Sequence, residues 1–246
     1  MPANSVVYKD ILGKKVPFSD LYEHRDIDPR ANREFAMQSA IDTFYFDTFF
    51  MLKMNKIEGD YLEFGSGSNV RSFRFALKYN RLEAFGDRML YSFDSFEGLP
   101  EPVGIDTHEQ WKQGAMAVSL EQFTEILAQY DAHAGTDYKT VKGFYNDTLD
   151  GAKPAERGIT RAAFVHIDCD LYESTKSALN YVTDILQDGA ILSFDDWFCF
   201  NGDPDKGEQR AFREWADQHK DVLGFLPYAK FGWHGMSFIV QRLDQK

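Results

Sequence analysis

The clearest pattern in the chain is a pair of continuous apolar runs, at residues 162–167 and 190–194, each followed by residues with helical spacing. Continuous runs of this length are typical of parallel strands that are buried on both faces of an α/β sheet. Shorter segments at 61–64, 89–93 and 138–142 are predicted to be further strands. The pattern therefore predicts an α/β fold with a mostly parallel sheet.

The remaining segments predict helices on both faces of that sheet and an antiparallel arrangement of its C-terminal strands. We expect helices at 30–55, 70–79, 119–132, 147–153, 171–187 and 205–219. The first should be largely buried, and the second should turn Arg71, Arg74 and Lys78 to solvent. Two further strands, at 225–229 and 237–242, predict an antiparallel C-terminal edge and bring the sheet to seven strands. The irregular stretch 95–118 is long enough to suggest a functional lid.

Length and charge narrow the possibilities further. A chain of 246 residues predicts one domain, with an N-terminal helical cap at 1–58, a core at 59–220 and terminal strands at 221–246. Its net charge of −12 repels phosphate backbones and anionic membranes, so we expect no nucleic-acid or membrane partner. There is no long apolar stretch and no secretion-signal pattern at the start, which predicts a cytoplasmic protein. The two cysteines, Cys169 and Cys199, we interpret as reduced and incidental.

Three carboxylates end the two continuous runs. Asp168 closes the first run, and Asp195 and Asp196 close the second. Since neighbouring strands lie roughly 4.8 Å apart, acids at adjacent strand ends can bind one small cation. An all-oxygen set favours Mg²⁺, with Mn²⁺ or Ca²⁺ possible. The alternative is that one aspartate caps a helix and the others are solvated.

A glycine-containing loop follows the first strand of the core. Gly65 and Gly67 allow close backbone approach to a ligand, and the next helix offers N–H groups to an anion. The dinucleotide fingerprint would need glycine where Val70 stands, so NAD is disfavoured. Asp94, at the end of the second strand, has the geometry to accept hydrogen bonds from a ribose diol, or it forms a turn.

Two buried polar positions add candidates with open alternatives. Glu63, inside a strand, would bind an amino group of the ligand or a loop N–H. His166 shares a face with Asp168 and would accept a proton, or it is a satisfied core residue. His234 either reaches the cleft or is exposed. Tyr172, Trp197 and Phe198 either wall an acceptor pocket or belong to the core.

Four strings of residues are specific enough to indicate a family. They are Gly59-Asp60-Tyr61-Leu62-Glu63-Phe64-Gly65, Phe93-Asp94-Ser95-Phe96-Glu97-Gly98-Leu99-Pro100, His166-Ile167-Asp168-Cys169-Asp170-Leu171-Tyr172-Glu173-Ser174-Thr175, and Asp195-Asp196. Together they resemble the macrocin O-methyltransferase family, which groups metal-dependent class I S-adenosylmethionine enzymes that methylate sugar hydroxyls. The resemblance covers roughly residues 59–215 and implies a Rossmann-like class I methyltransferase fold.

The resemblance also implies roles for single residues. Glu63, Gly65, Ser66 and Gly67 would hold the methionine part of S-adenosylmethionine, and Asp94 its ribose, with Ser95 and Asp168 as further cofactor contacts. Gly143, Phe144, Tyr145 and Asn146 would flank the adenine. Asp168, Asp195 and Asp196 match the family's Mg²⁺ ligands. Ser68-Asn69 departs from the family's usual glycine pair.

The general base is a separate question. In the more distant catechol methyltransferases a lysine follows the first aspartate by three residues, but Leu171 stands there in this chain. Our first candidate is therefore Asp168, acting as ligand and base together, with His166 as the second.

Three functions are compatible with these observations. The first is a Mg²⁺-dependent O-methyltransferase of a sugar hydroxyl, with a small-molecule glycoside as acceptor and a possible homo-oligomer. The second has the same cofactors and acts on a catechol or another vicinal diol. The third is a non-catalytic S-adenosylmethionine-binding protein that retains the fold. An NAD oxidoreductase is a remote fourth.

Overall fold

The computed structural model describes residues 7–9, 15–17, 29–67, 70–82, 87–107, 109 and 111–244. Its strands are β1 (Val7–Lys9), β2 (Lys15–Pro17), β3 (Asp60–Phe64), β4 (Leu90–Asp94), β5 (Tyr138–Lys142), β6 (Ala162–Ile167), β7 (Leu186–Phe194), β8 (Leu223–Phe231) and β9 (Gly235–Arg242). Its α-helices are α1 (Pro29–Met54), α2 (Arg71–Asn80), α3 (Leu120–Ala128), α4 (Tyr145–Thr148), α5 (Tyr172–Val182) and α6 (Gly207–Gln218). Short 3₁₀ turns lie at Gly104–Asp106, Pro154–Arg157, Thr183–Ile185 and Phe200–Gly202.

Seven strands form one sheet in the order β5-β4-β3-β6-β7-β9-β8. The pairs from β5 to β7 are parallel, and β9 runs antiparallel to both β7 and β8. The mostly parallel seven-stranded sheet with an antiparallel C-terminal edge is therefore confirmed. The strand order reverses between β3 and β6, and the crevice at such a point is where open α/β sheets bind their ligands.

Hydrophobic cores on the two faces of the sheet hold the helices in place. On one face, α1, α2 and α3 bury side chains such as Phe49, Phe73 and Phe123 against the sheet. On the other face, α5 and α6 contribute Leu179 and Trp215. All six residues of β6 are buried, which explains why its sequence is apolar without alternation. The predicted helices on both faces are confirmed.

A row of buried polar side chains crosses the sheet, one or two residues from the strand ends that border the crevice. Its members are register partners on neighbouring strands. They come one each from β4, β3, β6, β7 and β9: Ser92, Glu63, His166, Ser193 and Ser237. Every member is fully buried. Because side chains alternate along a strand, the row lies on the α1–α2 face, directly beneath the crevice.

Some local predictions need correction. Helix α1 has an exposed side, with Phe46, Phe50 and Met54 at 41%, 45% and 65% exposure, so it is less buried than its composition suggested. Strand β7 begins at Leu186, four residues earlier than predicted, because α5 ends at Val182. The predicted N-terminal cap contains the antiparallel pair β1–β2 as well as α1, and its residues 1–6, 10–14 and 18–28 lie outside the described ranges. Within those ranges, no helix is long and apolar enough to cross a membrane.

Candidate active site

The loop between β3 and α2 approaches the end of β6 through a glycine. Gly65 has φ +89°, a conformation that side chains with a Cβ rarely adopt. A Cβ at this position would overlap the carbonyl oxygen of Asp168. Gly67 also has positive φ, at +58°. The loop therefore packs against Asp168 in a way that only glycine permits. Ser68-Asn69, where the chain departs from the family pattern, lies outside the described residues.

Asp94 organises this loop from the neighbouring strand. Its Oδ2 accepts the Ser66 N–H at 2.7 Å, and its Oδ1 accepts the Phe96 N–H at 2.6 Å. Burial raises the pKa of Asp94, and these backbone donors oppose the shift. Ser95 stays within its own turn, where its hydroxyl donates to Gly98 O at 2.8 Å. Asp94 therefore forms the predicted turn, and it also lines the cavity described below.

Glu63 lies beneath the loop and is fully buried. One carboxylate oxygen accepts the hydroxyl of Tyr61, which is itself bonded to Tyr45 at 3.0 Å, and the other oxygen has no partner among the described residues. Burial raises the pKa of Glu63 to about 8. A carboxyl group in this environment is proton-bound near neutral pH unless a cation reaches it.

The predicted adenine-binding segment follows β5. Gly143, with φ +138°, leads into the one-turn helix α4. The Tyr145 hydroxyl donates to Phe93 O at 2.9 Å, so its ring is fixed beside the end of β4. Burial raises the pKa of Tyr145 well above its usual value. Asn146 is exposed and donates to Asp147 at 3.1 Å.

These segments enclose a cavity of about 470 Å³ at the carboxyl ends of the strands. Its walls include eight of the eleven predicted cofactor residues: Gly65, Gly67, Asp94, Ser95, Phe144, Tyr145, Asn146 and Asp168. The other three, Glu63, Ser66 and Gly143, are not among the residues that line it. A cavity of this size is typical of a small-molecule site.

The irregular stretch 95–118 forms the outer wall of the cavity through Leu99, Pro100 and Met116 among others. Two of its side chains attach it to the core. Asp106 accepts the N–H groups of Tyr172, at 2.6 Å, and Glu173, at 3.3 Å, at the start of α5. The indole N–H of Trp111 donates to Asp170. The sequence predicted a lid here but gave no sign of these two attachment points, which depend on long-range contacts.

On the far side of Asp168 lies a group that we call the acid cluster: His166, Asp168 and Asp195. One potential ligand atom from each lies within 4.8 Å of the others. The His166 Nε2 is 3.9 Å from Asp168 Oδ2. Both His166 Nε2 and Asp195 Oδ1 are buried and have no hydrogen-bond partner among the described residues. Asp168 is the shared member, because it also lines the cavity.

The protonation of the acid cluster follows from its surroundings. Burial lowers the pKa of His166 to about 4, so the imidazole is neutral. Its Nδ1 bonds Ser193 Oγ at 2.8 Å, and that hydroxyl donates to Val165 O at 3.4 Å. The Nδ1 therefore donates and the Nε2 presents a lone pair toward the carboxylates. Burial and the charge of Asp195 raise the pKa of Asp168.

Two residues that sequence reasoning missed or left open hold Asp195. Arg71, predicted to face solvent, instead donates to Asp195 Oδ2 at 3.2 Å with only 15% of its side chain exposed. His234 bonds the Asp195 carbonyl oxygen through Nδ1 at 2.6 Å and lies 3.5 Å from its Oδ2. His234 thus reaches the cleft. Helical spacing places Arg71 with Arg74 and Lys78, so the sequence pattern offered no signal for its inward position.

Asp196 is not part of the acid cluster, although the sequence suggested it as a third metal ligand. Its side chain instead interacts with the charges of Asp170 and Glu208. Burial raises the pKa of both Asp170 and Asp196, that of Asp170 to about 6. Glu208, also buried, accepts the Asp196 N–H at 2.9 Å, and Cys199 donates to Asp196 Oδ1 at 3.0 Å.

Comparison with known proteins agrees with this geometry. The sequence profile of the family described as macrocin-O-methyltransferase (TylF) matches residues 47–222, and the chain therefore belongs to this family. A relative from Streptomyces olivaceus is 34% identical over 155 residues, which are 57% of this chain. It is named 8-demethyl-8-(2,3-dimethoxy-alpha-L-rhamnosyl)-tetracenomycin-C 4'-O-methyltransferase. The match spans only 54%, about half, of the length of that relative.

Two solved structures share the fold. The calicheamicin methyltransferase CalS11 has a TM-score of 0.66 and 22% identity, with 90% of each chain covered. The O-methyltransferase NovP has a TM-score of 0.64 and 21% identity, with 82% of this chain and 80% of that chain covered. The likeness confirms the class I methyltransferase fold.

Proposed function

We propose that this chain is an S-adenosylmethionine-dependent O-methyltransferase acting on a sugar hydroxyl of a glycosylated natural product. The observation that carries the proposal is the position of Asp168, which lines the cavity and also belongs to the acid cluster. A hydroxyl group bound beside it would face a methyl donor on one side and a basic, charged cluster on the other. The name of the Streptomyces relative supports a sugar as the acceptor.

The cavity has the features that an adenosine-containing donor needs. Asp94 stands on its wall, and each of its oxygens keeps a lone pair for a ribose hydroxyl after accepting a backbone N–H. Phe144 and Tyr145 offer apolar surface for a base. Glu63, whose second oxygen has no partner among the described residues, suits the amino group of the methionine part.

The acid cluster suits a divalent cation. Two carboxylates and a neutral imidazole converge, and two of their buried atoms have no partner in the described part of the chain. Such atoms are costly unless a cation or a proton satisfies them. Asp168, Asp195 and His166 would hold the ion, with Asp196 outside the group. Because imidazole nitrogen suits Mn²⁺ or Zn²⁺ better than Mg²⁺, we expect Mn²⁺ to bind at least as well as Mg²⁺. When bound, such an ion acts as a Lewis acid toward the acceptor oxygen.

Methyl transfer requires that the acceptor oxygen be aligned with the donor and lose its proton. Asp168 is the residue placed to accept that proton, since it is 23% exposed at the cavity while His166 is fully buried. The raised pKa of Asp168 makes its carboxylate a stronger base than an exposed one. His166 acts from behind as a positioning residue. Arg71 balances the negative charge of Asp168 and Asp195.

The proposal is tested with purified protein, S-adenosylmethionine and a panel of acceptors, followed by mass spectrometry. The panel contains rhamnosylated polyketides, their aglycones and simple catechols. We expect the mass gain of one methyl group on the glycosides only, with activity reduced by chelator and restored by Mn²⁺ or Mg²⁺. Methylation of catechols alone would show that the substrate is a vicinal diol and not a sugar. Cofactor binding by calorimetry without product from any acceptor would favour the non-catalytic alternative.

We also infer from the sequence a single domain, a cytoplasmic location, no nucleic-acid partner and a possible homo-oligomer. The net negative charge supports the absence of a nucleic-acid partner. Size-exclusion chromatography with light scattering measures the oligomeric state.

A further inference from the structure

Two aromatic side chains stand exposed beside the acid cluster, on segments that do not line the cofactor cavity. Trp233 is 60% exposed and Phe198 is 37% exposed, although both are large apolar residues. Phe198 follows Asp195-Asp196 by two residues, and Trp233 immediately precedes His234. Exposed apolar groups at a site rim are a common mark of ligand contact.

Both aromatic residues are fixed to the acid cluster through short connections. The Phe198 N–H donates to His234 O at 2.9 Å, which joins the loop after β7 to the turn between β8 and β9. His234 in turn bonds the Asp195 carbonyl oxygen at 2.6 Å. The Trp233 ring meets the His234 ring edge-on, with centroids 4.9 Å apart. The position of Trp233 is therefore tied to that of Asp195.

The turn that carries Trp233 is anchored on its inner side. Phe231 is 2% exposed and stacks on Phe44 of α1, with ring centroids 4.1 Å apart. Gly232 has φ +56°, and a Cβ at Gly235 would overlap the Phe231 ring. With Phe231 buried and Trp233 outside, the turn is held so that the indole stays at the surface.

We propose that Trp233 and Phe198 form an acceptor platform that binds the C–H face of the sugar ring to be methylated. The proposal rests on the proposed function and names the part of the site that receives the acceptor. A sugar ring has an apolar C–H face and hydroxyl groups at its edge, and aromatic rings pack against such apolar faces. With that face on the platform, the edge hydroxyls point toward Asp195 and Asp168. The Lys230 ammonium, 5.2 Å from the Phe198 ring centroid, is placed to donate to a further hydroxyl.

The first test compares Trp233→Ala and Trp233→Phe with wild type in steady-state kinetics. We expect Trp233→Ala to raise the acceptor KM by about tenfold, which corresponds to about 1.4 kcal/mol, while kcat changes less than threefold. Trp233→Phe should restore most of the affinity. The dissociation constant for S-adenosylmethionine should not change in either variant. The matched control is Phe46→Ala, because Phe46 is also an exposed aromatic residue, at 41%, but packs toward Tyr79 of α2.

The second test does not require turnover. Saturation-transfer NMR with methyl α-L-rhamnopyranoside, in the presence of S-adenosylhomocysteine, should show the strongest transfer to the ring C–H protons. Trp233→Ala should lose this signal and Phe46→Ala should keep it. An undiminished signal in Trp233→Ala, or no signal with wild type, overturns the platform. If Trp233→Ala instead loses binding of a free aromatic aglycone and keeps the rhamnoside signal, the sugar is not the ligand of the platform. Failure to methylate any acceptor, with a Trp233-dependent rhamnoside signal, would instead count against the proposed function alone.

Discussion

The two sides of Asp168 are built in different ways. The cofactor cavity is shaped by backbone, with Gly65 and Gly143 in conformations reserved for glycine and N–H groups directed at Asp94. The acid cluster is built from buried ionisable side chains, and two of their atoms lack a partner within the described residues. Buried atoms without a partner carry a free-energy cost that a bound group can remove. We therefore propose that the cavity is preformed and that a cation completes the acid cluster.

The strongest way to break this comparison is to change the residue that both sides share. Asp168→Asn removes a negative charge and the proton acceptor while keeping the shape of the side chain. We expect kcat to fall by about 10²- to 10⁴-fold, with the dissociation constant for S-adenosylmethionine within about threefold of wild type. The measurements are single-turnover methyl transfer and calorimetry. Asp150→Asn, at an exposed wall position of the same cavity, is the matched control. Normal turnover in Asp168→Asn would remove this residue from the chemistry.

A second substitution tests whether the cavity side depends on backbone shape. Gly65→Ala introduces a Cβ against the Asp168 carbonyl oxygen at φ +89°. We expect a loss of about 3 kcal/mol of stability, or roughly 6–12 °C in Tm. Gly151→Ala is the control, since φ there is +78° but no described atom lies within 4 Å. It should cost only about 1 kcal/mol. Equal losses in the two variants would show that φ alone matters at Gly65.

A third experiment asks whether a cation completes the acid cluster. Mn²⁺ at about 100 times its dissociation constant should add about 2.7 kcal/mol to the free energy of unfolding, or roughly 5–10 °C in Tm. Asp195→Asn should abolish the increase, because it removes one of the two carboxylates. Asp150→Asn should preserve it. The measurement is differential scanning calorimetry, which is independent of enzyme activity. A flat response of wild type to Mn²⁺, Mg²⁺ and Zn²⁺ would contradict cation binding.

The fourth prediction concerns Glu63 and pH. Its folded-state pKa of about 8 lies above the ordinary value of 4.5, so the unfolded chain releases this proton first as pH rises. Stability therefore falls between pH 4.5 and 8, by up to about 1.4 kcal/mol per pH unit, and the loss is complete above pH 8. Glu63→Gln should flatten this part of the curve, raise Tm at pH 8 by a few degrees and weaken cofactor binding. An unchanged pH profile of Tm in the variant would place the titration elsewhere.

The sequence was most informative where local pattern determines structure. Local sequence patterns located all seven strands of the main sheet, and Asp168, which follows β6, is the residue shared by both sides of the site. Alternation along the strand also placed His166 beside Asp168. The make-up of the acid cluster was only partly predicted, because Asp195 and Asp196 follow the end of β7, where the chain bends and adjacent side chains take different directions. Asp195 thus enters the acid cluster while Asp196 turns toward Asp170 and Glu208.

Contacts between distant segments could not be predicted in this way. Arg71 lies 124 positions from Asp195 in sequence, and helical spacing assigned it to the wrong side of α2. The attachments of the outer wall through Asp106 and Trp111, and the turn that holds Trp233, likewise depend on packing between elements. Periodicity carries information about the face of a single element but not about which partner meets it.

The buried polar row beneath the crevice has a consequence for how the sheet assembles. Each of its five members is followed by a phenylalanine or isoleucine on the opposite face: Phe93, Phe64, Ile167, Phe194 and Phe238. A slip of any one strand by a single residue would exchange these faces. A carboxylate, an imidazole or a hydroxyl would then enter the hydrophobic core, and an apolar side chain would take its place in the row. Misaligned pairings are thereby penalised during folding, and the alignment that survives is the one that brings the strand ends level.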